Sequence, residues 1–249
     1  MSGHSKWSKV KRYKGALDQK RGQVFSRLSK EIQLAAKSGG DPETNMKLRT
    51  IILKAKEVSM PTDTIKRAIN KGTGAEASAA LEEYLYEGYG PSGVAMLVEV
   101  VTESRNRAAA DIRSIFSKHG GNMAESGSVA FLFDKKGSIT IKKSAIGEDD
   151  LMGLVLDAGA EDLKTDKEDV YEVVTPPETF DKVKKALEDK KLALESAEVS
   201  TTAKTSIVLD DKKAGAVLSL YDALDEYEDV QNVHANFEIS DEVMAKFEK

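Results

Sequence analysis

VAMLVEVVTESRNRAAADIRSIFSKHGG, residues 94–121, changes its hydrophobic period midway. Val94–Val101 is apolar at successive positions, as a strand covered on both faces must be. From Arg105 onward the apolar residues Ala108, Ile112, Ile115 and Phe116 recur at helical spacing, and Gly120-Gly121 ends the run. A buried strand feeding an amphipathic helix points to a mixed α/β layer rather than a helical bundle or a sandwich.

The same reading extends downstream. GSVAFLFDKKGSITI predicts two strands, Ser128–Asp134 and Ser138–Ile141, linked at Lys135-Lys136-Gly137. Helix is expected over 148–158, strand over 170–174, a helix packing Phe180, Val183 and Leu187, and strand over 193–200. TSIVL (205–209) reads as strand. DKKAGAVLSLYDALDEY (211–227) turns Ala214, Val217, Leu218, Tyr221 and Leu224 inward. In VQNVHANFEI (230–239), Val233, Ala235, Phe237 and Ile239 alternate with Asn232, His234, Asn236 and Glu238, which predicts one continuous strand with His234 on its polar side.

Upstream, three helical patterns follow one another. Leu17, Val24, Phe25, Leu28, Ile32 and Ala35 share one face. Leu48, Ile51, Ile52, Ala55 and Val58 share another, with Pro42 suited to a first helical turn. Ile65, Ala68 and Ile69 form the third, opened by Pro61 and stopped by Gly72.

The order of elements sets the fold class. Residues 138–200 complete a βαββαβ unit, and the flanking βαβ segments join into a second. The expectation is an α+β multidomain chain: a basic three-helix domain with an N-terminal arm over 1–76, then two ferredoxin-like βαββαβ domains. One of these is split over 77–134 and 204–249, and the other is inserted at 135–203.

Charge is distributed very unevenly. The 249 residues carry a net −5, yet residues 1–76 hold 17 Lys and Arg against 7 Asp and Glu, while the remainder holds 20 against 35. Residues 1–30 alone hold nine basic residues against Asp18. This implies a basic module for a polyanion joined to acidic domains that limit indiscriminate binding. Trp7 and Tyr13 interleave with Lys6, Lys9, Lys11, Arg12 and Lys14. Such a stretch neutralises phosphates and stacks on unpaired bases. Lys20, Arg21 and Arg27 continue the charge onto the first helix. Arg105 and Arg107 make a second basic pair at a helix start; pairing of Arg107 with Asp111, one turn on, is the competing reading.

Other chemistry finds little support. No cysteine is present, which excludes disulfides, thiolate nucleophiles and cysteine zinc sites. No apolar run approaches the roughly 20 residues of a membrane span, and the N-terminus lacks the apolar centre of a signal peptide. A cytoplasmic location is expected. Gly88, Gly90 and Gly93 match G-x-G-x-x-G but precede a strand, so a turn is the expectation. KGTG (71–74) puts its lysine before the glycines, and Ser8 and Lys11 match S-x-x-K only within the basic arm. His4, His119 and His234 have no partner at metal-ligand spacing. The acidic run Asp222, Asp225, Glu226, Glu228 and Asp229 reads as a solvated face. No nucleophile, base and orienting group assemble. A non-enzyme is expected, with no cofactor and no metal. SVAFLFD matches the end of an RNA-recognition motif's aromatic strand, but the basic and glycine residues that should precede it are missing.

Taken together, GHSKW, KRG with the VF that follows, YEGYGPSGVA, RNRAAADIR, FSKHGGN and DVQNVHANFEI resemble the YebC family along essentially the whole chain. That family includes bacterial regulators and a mitochondrial translational activator of a cytochrome oxidase subunit. The resemblance implies a helical domain and two α/β domains around a cleft. It implies either DNA-binding transcriptional regulation or a ribosome-associated role in translation. It carries over onto Gly3-His4-Ser5-Lys6-Trp7, Lys20-Arg21-Gly22, Arg105-Asn106-Arg107 and Lys118-His119-Gly120-Gly121, and so adds His4 and Lys118 to the candidate contacts. The sequence departs at Arg12-Tyr13-Lys14, where the family often has His-Arg-Lys, so Tyr13 would stack where an arginine would pair. The expected partner is DNA or ribosomal RNA, bound by a monomer with no membrane involvement. The rival classes are a metal-dependent nuclease or hydrolase built on the acidic run, and a protein-binding adaptor.

Overall fold

Leu17–Ala36, the first helix (α1), buries Leu28, Ile32, Ala35 and Ala36, so the expected stripe is the packed one. The computed structural model describes residues 17–76, 79–166, 168–240 and 243. Asn45 both closes α1 and opens α2 (Met46–Glu57). Its amide Nδ2 donates to the carbonyls of Ala35 (2.8 Å) and Gly39 (2.7 Å), while its Oδ1 accepts from Leu48 N at 3.0 Å. An asparagine side chain thereby satisfies orphan groups at two helix ends. The expectation that Pro42 starts this helix is corrected: Pro42 sits in the preceding turn, and its carbonyl accepts from Arg49 Nε at 2.9 Å.

Pro61 caps α3 (Thr62–Thr73), but Gly72 does not stop it. A Cβ at Gly72 would lie 2.3 Å from the Gln33 carbonyl oxygen, so glycine is required where α3 crosses α1. The left-handed terminator is Gly74, at φ +79°.

The chain divides into two compact units, one comprising the residues up to Phe131 together with those from Thr205, the other Leu132–Lys204. In the first unit, β1 (Glu82–Tyr89) and β2 (Ala95–Thr102) form an antiparallel hairpin, followed by α4 (Arg105–Lys118) and β3 (Asn122–Ala124). After the second unit come β8 (Ile207–Leu209), α7 (Asp211–Asp225), β9 (Val230–Ala235) and β10 (Phe237–Ile239). The sheet runs β3-β1-β2-β9, every neighbour antiparallel. Its core joins Val94, Met96, Val98 and Val100 of the β2 segment to Ile112 and Phe116 of α4 and to Leu220 and Leu224 of α7.

The second unit holds β4 (Phe133–Lys142), α5 (Glu148–Ala158), β5 (Asp162–Lys164), β6 (Val170–Thr175), α6 (Phe180–Asp189) and β7 (Leu194–Ala203). This is a complete βαββαβ unit with strand order β5-β6-β4-β7, all neighbours antiparallel. Ile139, Ile141, Tyr171 and Val173 face Leu151, Val155, Val183 and Leu187 of the helices. The first unit repeats the same spatial order, with one substitution. The strand beside the central one is β1, which precedes the βα pair, instead of a strand between the two helices.

Three strand expectations are corrected. The stretch 128–134 is no sheet strand of the first unit; Ala130–Leu132 is a short 3₁₀ turn, and β4 runs unbroken from Phe133. Lys135-Lys136-Gly137 is therefore strand interior, not a link. Gly137 is needed because a Cβ there would meet Thr175 Oγ1 at 2.2 Å and the Phe180 ring at 2.4 Å. The run 230–239 breaks at Asn236, whose Oδ1 accepts from Ala95 N (2.7 Å) and whose carbonyl accepts from Ile207 N (2.7 Å). That splits it between the main sheet and a two-stranded parallel β8–β10 pair.

Candidate nucleic-acid interface

The arm candidates His4, Lys6, Trp7, Lys9, Lys11, Arg12, Tyr13 and Lys14 lie outside the described residues. Lys20 belongs to α1, but its side chain is also outside them; Arg21 is exposed.

Arg27 and Lys30, further along α1, face inward toward acid. Arg27 pairs with Asp225 at 3.1 Å. Lys30 donates to Asp229 Oδ1 (2.6 Å), the Val101 carbonyl (3.1 Å) and the Glu228 carbonyl (3.0 Å). An ammonium has three hydrogens to donate, so Lys30 is saturated. Asp229 is nearly sealed off, with its side chain 5% exposed. Its Oδ2 accepts from Thr102 Oγ1 (2.8 Å) and Arg107 (2.9 Å). Burial alone pushes the Asp229 carboxyl up, but the hydrogen bonds from Lys30, Arg107 and Thr102 outweigh it and hold the group below the ordinary carboxylate range.

Arg107 therefore pairs across the fold with Asp229, not with Asp111 one turn on. Asp111 instead accepts from the Tyr227 hydroxyl at 2.8 Å. Burial, then this bond, pushes the Tyr227 phenol up. Arg105 is exposed and lies over the Tyr84 ring, 5.4 Å from its centroid, while the Tyr86 hydroxyl donates to the Arg105 carbonyl at 3.2 Å. Lys118 is exposed in the last turn of α4, and Nδ1 of the C-cap His119 lies 3.0 Å from Ser219 Oγ.

The acidic run is thus not simply a solvated face: Asp225 and Asp229 are the seats of Arg27, Lys30 and Arg107. Among the described residues, no three His, Asp or Glu side chains gather as a metal site would require. His234 is 9% exposed and its Nε2 lies 3.3 Å from Glu99, so its side of the strand is covered.

Sequence reasoning passed over two features. Glu87, buried in β1, accepts from the backbone N–H groups of Gly127 (2.6 Å), Val129 (2.6 Å) and Ala130 (2.8 Å). Burial pushes its carboxyl up, and these bonds more than reverse that. The second is a set of exposed cations on the bundle: Lys54 and Lys56 on α2, and Lys66, Arg67 and Lys71 on α3. Their signal in the sequence is charge at helical spacing off the apolar stripe. Near β4 of the inserted unit, charges of both signs meet: Lys136 pairs with Glu161 and Lys204 with Asp134.

Comparison with known proteins covers nearly the whole chain. Residues 5–75 match the family model described as the TACO1/YebC protein N-terminal domain, and residues 81–237 match that of the TACO1/YebC second and third domain. A "probable transcriptional regulatory protein" of Rubrobacter xylanophilus is 52% identical over 248 residues, 99% of each chain. One of the same description from Syntrophus aciditrophicus is also 52% identical over 248 residues, with the same coverage. The crystal structure of a conserved hypothetical protein from Aquifex aeolicus superposes with a TM-score of 0.74 at 40% identity, covering 91% of this chain and 93% of that one.

Proposed function

The chain belongs to the TACO1/YebC family, and on that premise we propose that it is a non-enzymatic, nucleic-acid-binding regulator of gene expression. The names of its relatives, probable transcriptional regulatory proteins, support the regulatory part. One observation carries the binding part: residues 1–76 hold 17 basic residues against 7 acidic ones in a chain of net charge −5. Such a module draws a polyanion by counterion release, while acidic domains repel it elsewhere.

Folded RNA fits this module better than duplex DNA. Trp7 and Tyr13, interleaved with lysines, suit unpaired bases that a duplex does not offer. Nothing in the sequence matches a helix-turn-helix with a base-reading helix. The proposal is therefore a cytoplasmic, monomeric factor acting on the ribosome, bound to ribosomal RNA through the arm and the bundle. Arg105 and Lys118 are exposed second contacts. Sedimentation of the native protein on a gradient tests this. Co-migration with ribosomal fractions, lost at high salt, supports it; migration with chromosomal DNA instead returns the role to transcription.

A further inference from the structure

The three helices differ in what their cations do. Arg27 and Lys30 on α1 are held by Asp225 and Asp229, and Lys30 has no donor to spare. On α3 the opposite holds. Ile65 and Ala68 are buried, and Gly72 abuts Gln33, so one stripe of the helix is committed to the core. Lys66, Arg67 and Lys71 lie off that stripe and are exposed, and none has an ion-pair partner among the described residues. Arg67 and Lys71 stand one turn apart, about 6 Å along the axis. The one acid of this helix, Asp63, sits in its first turn, where it complements the dipole. Residues 46–73 carry seven Lys and Arg against Glu57 and Asp63. Of these, Arg49 pairs with Glu43 at 3.4 Å. Surface cations at this density with so few counterions are costly to keep close together, and a phosphate backbone supplies the missing charge.

We infer that the exposed face of α3, through Lys66, Arg67 and Lys71, is a phosphate-backbone contact surface for nucleic acid, separate from the N-terminal arm, and that Arg27, Lys30 and Arg107 clamp the fold instead of touching the ligand. This rests on the nucleic-acid reading above and divides its work between two surfaces. It reads no bases, so it adds affinity without sequence preference.

The test uses the full chain with two probes, a short single-stranded RNA and a DNA duplex of the same sequence, each across a salt series. A triple charge reversal, Lys66→Glu with Arg67→Glu and Lys71→Glu, should reduce the magnitude of the log K against log salt slope. The expected reduction is about 2 on the single strand and about 2.7 on the duplex. The triple alanine variant should lose a similar amount of slope, and it serves as the readout should the reversal disturb folding, because alanine favours helix. Thermal unfolding of the alanine variant should match the parent. If the parent and an arm-deleted chain differ in slope but both α3 variants keep the parental slope, the α3 surface is overturned and the nucleic-acid reading stands. If the parent binds neither probe, both fall.

Discussion

Lys30 on the first helix and Asp229 just before β9 meet at 2.6 Å, and together with Arg27–Asp225 and the Lys30 bond to the Val101 carbonyl this contact ties the helical bundle to the first sheet. The Asp229 carboxylate is also bonded by Thr102 and Arg107, so its loss strands several groups at once.

Asp229→Ala should therefore lower the free energy of unfolding by about 3 kcal/mol, the scale for removing one partner of a buried ionic network. Arg107→Ala should cost much less than Asp229→Ala, because its side chain is 54% exposed and water screens the pair. Urea titrations of the two variants against the parent check the contrast. Equal losses would mean that Asp229 is not the hub.

Acid should act through the same carboxylates. The native state holds both Asp229 and Glu87 below their ordinary range, so each contributes stability that is complete above its unfolded value and lost as pH falls through its folded one. The unfolded values are about 3.9 for Asp and about 4.3 for Glu. The stability gap between the parent and Glu87→Gln should be widest near neutral pH and should narrow as pH drops below about 4. A gap that widens on acidification would reverse the sign and refute the assignment.

Glu87 also shows why part of the fold was hard to read. Strand β1 carries a buried Glu87 and an outward Leu85, 46% exposed, so its polarity is inverted and hydropathy gives no strand signal. The backbone amides that satisfy Glu87 lie some 40 residues away and leave no local trace. The helices, by contrast, were legible because Ile32, Leu48, Ile112 and Leu224 obey one period and each is fully buried. The two helices of the inserted unit were legible for the same reason, whereas β4 reads as two strands across Lys135-Lys136-Gly137 and the short β5 gives no signal. The exposure of Arg105 and Lys118 at the two ends of α4 follows from their places off the apolar stripe, but the partners of Arg27 and Arg107 could not be read. Asp225 and Asp229 are distant in the chain, and a helical i, i+4 neighbour such as Asp111 is the partner that a local reading prefers.

Two glycines inside helices should respond oppositely to alanine. Gly153 in α5 has nothing within 4 Å of an added Cβ, so Gly153→Ala should stabilise by roughly 0.5–1 kcal/mol through helix propensity. Gly72→Ala puts a Cβ 2.3 Å from the Gln33 carbonyl oxygen and 2.7 Å from Ala36 Cβ, so α3 must lift off α1. The expected cost is about 1–3 kcal/mol. Thermal unfolding of the full chain reads both, and a stabilising Gly72→Ala would contradict the helix crossing described here.

In the arm, Trp7→Ala should weaken binding to looped RNA by roughly 1–3 kcal/mol while leaving the salt slope nearly unchanged, since stacking carries no charge. Duplex DNA should be less affected, having no free base faces. A titration of both ligands separates the outcomes; equal losses would argue against stacking.

The salt dependence of the parent chain's affinity for single-stranded RNA tests the central claim most directly. With Lys6, Lys9, Lys11, Arg12 and Lys14 of the arm and three cations on α3 engaged, log K should fall with log salt at a slope of about −5 to −6, at about −0.7 per phosphate contact. Deleting residues 2–14 should remove up to about 3.5 of that magnitude. Affinity that is undetectable at low salt, or flat across the series, would contradict a basic module built to hold nucleic acid.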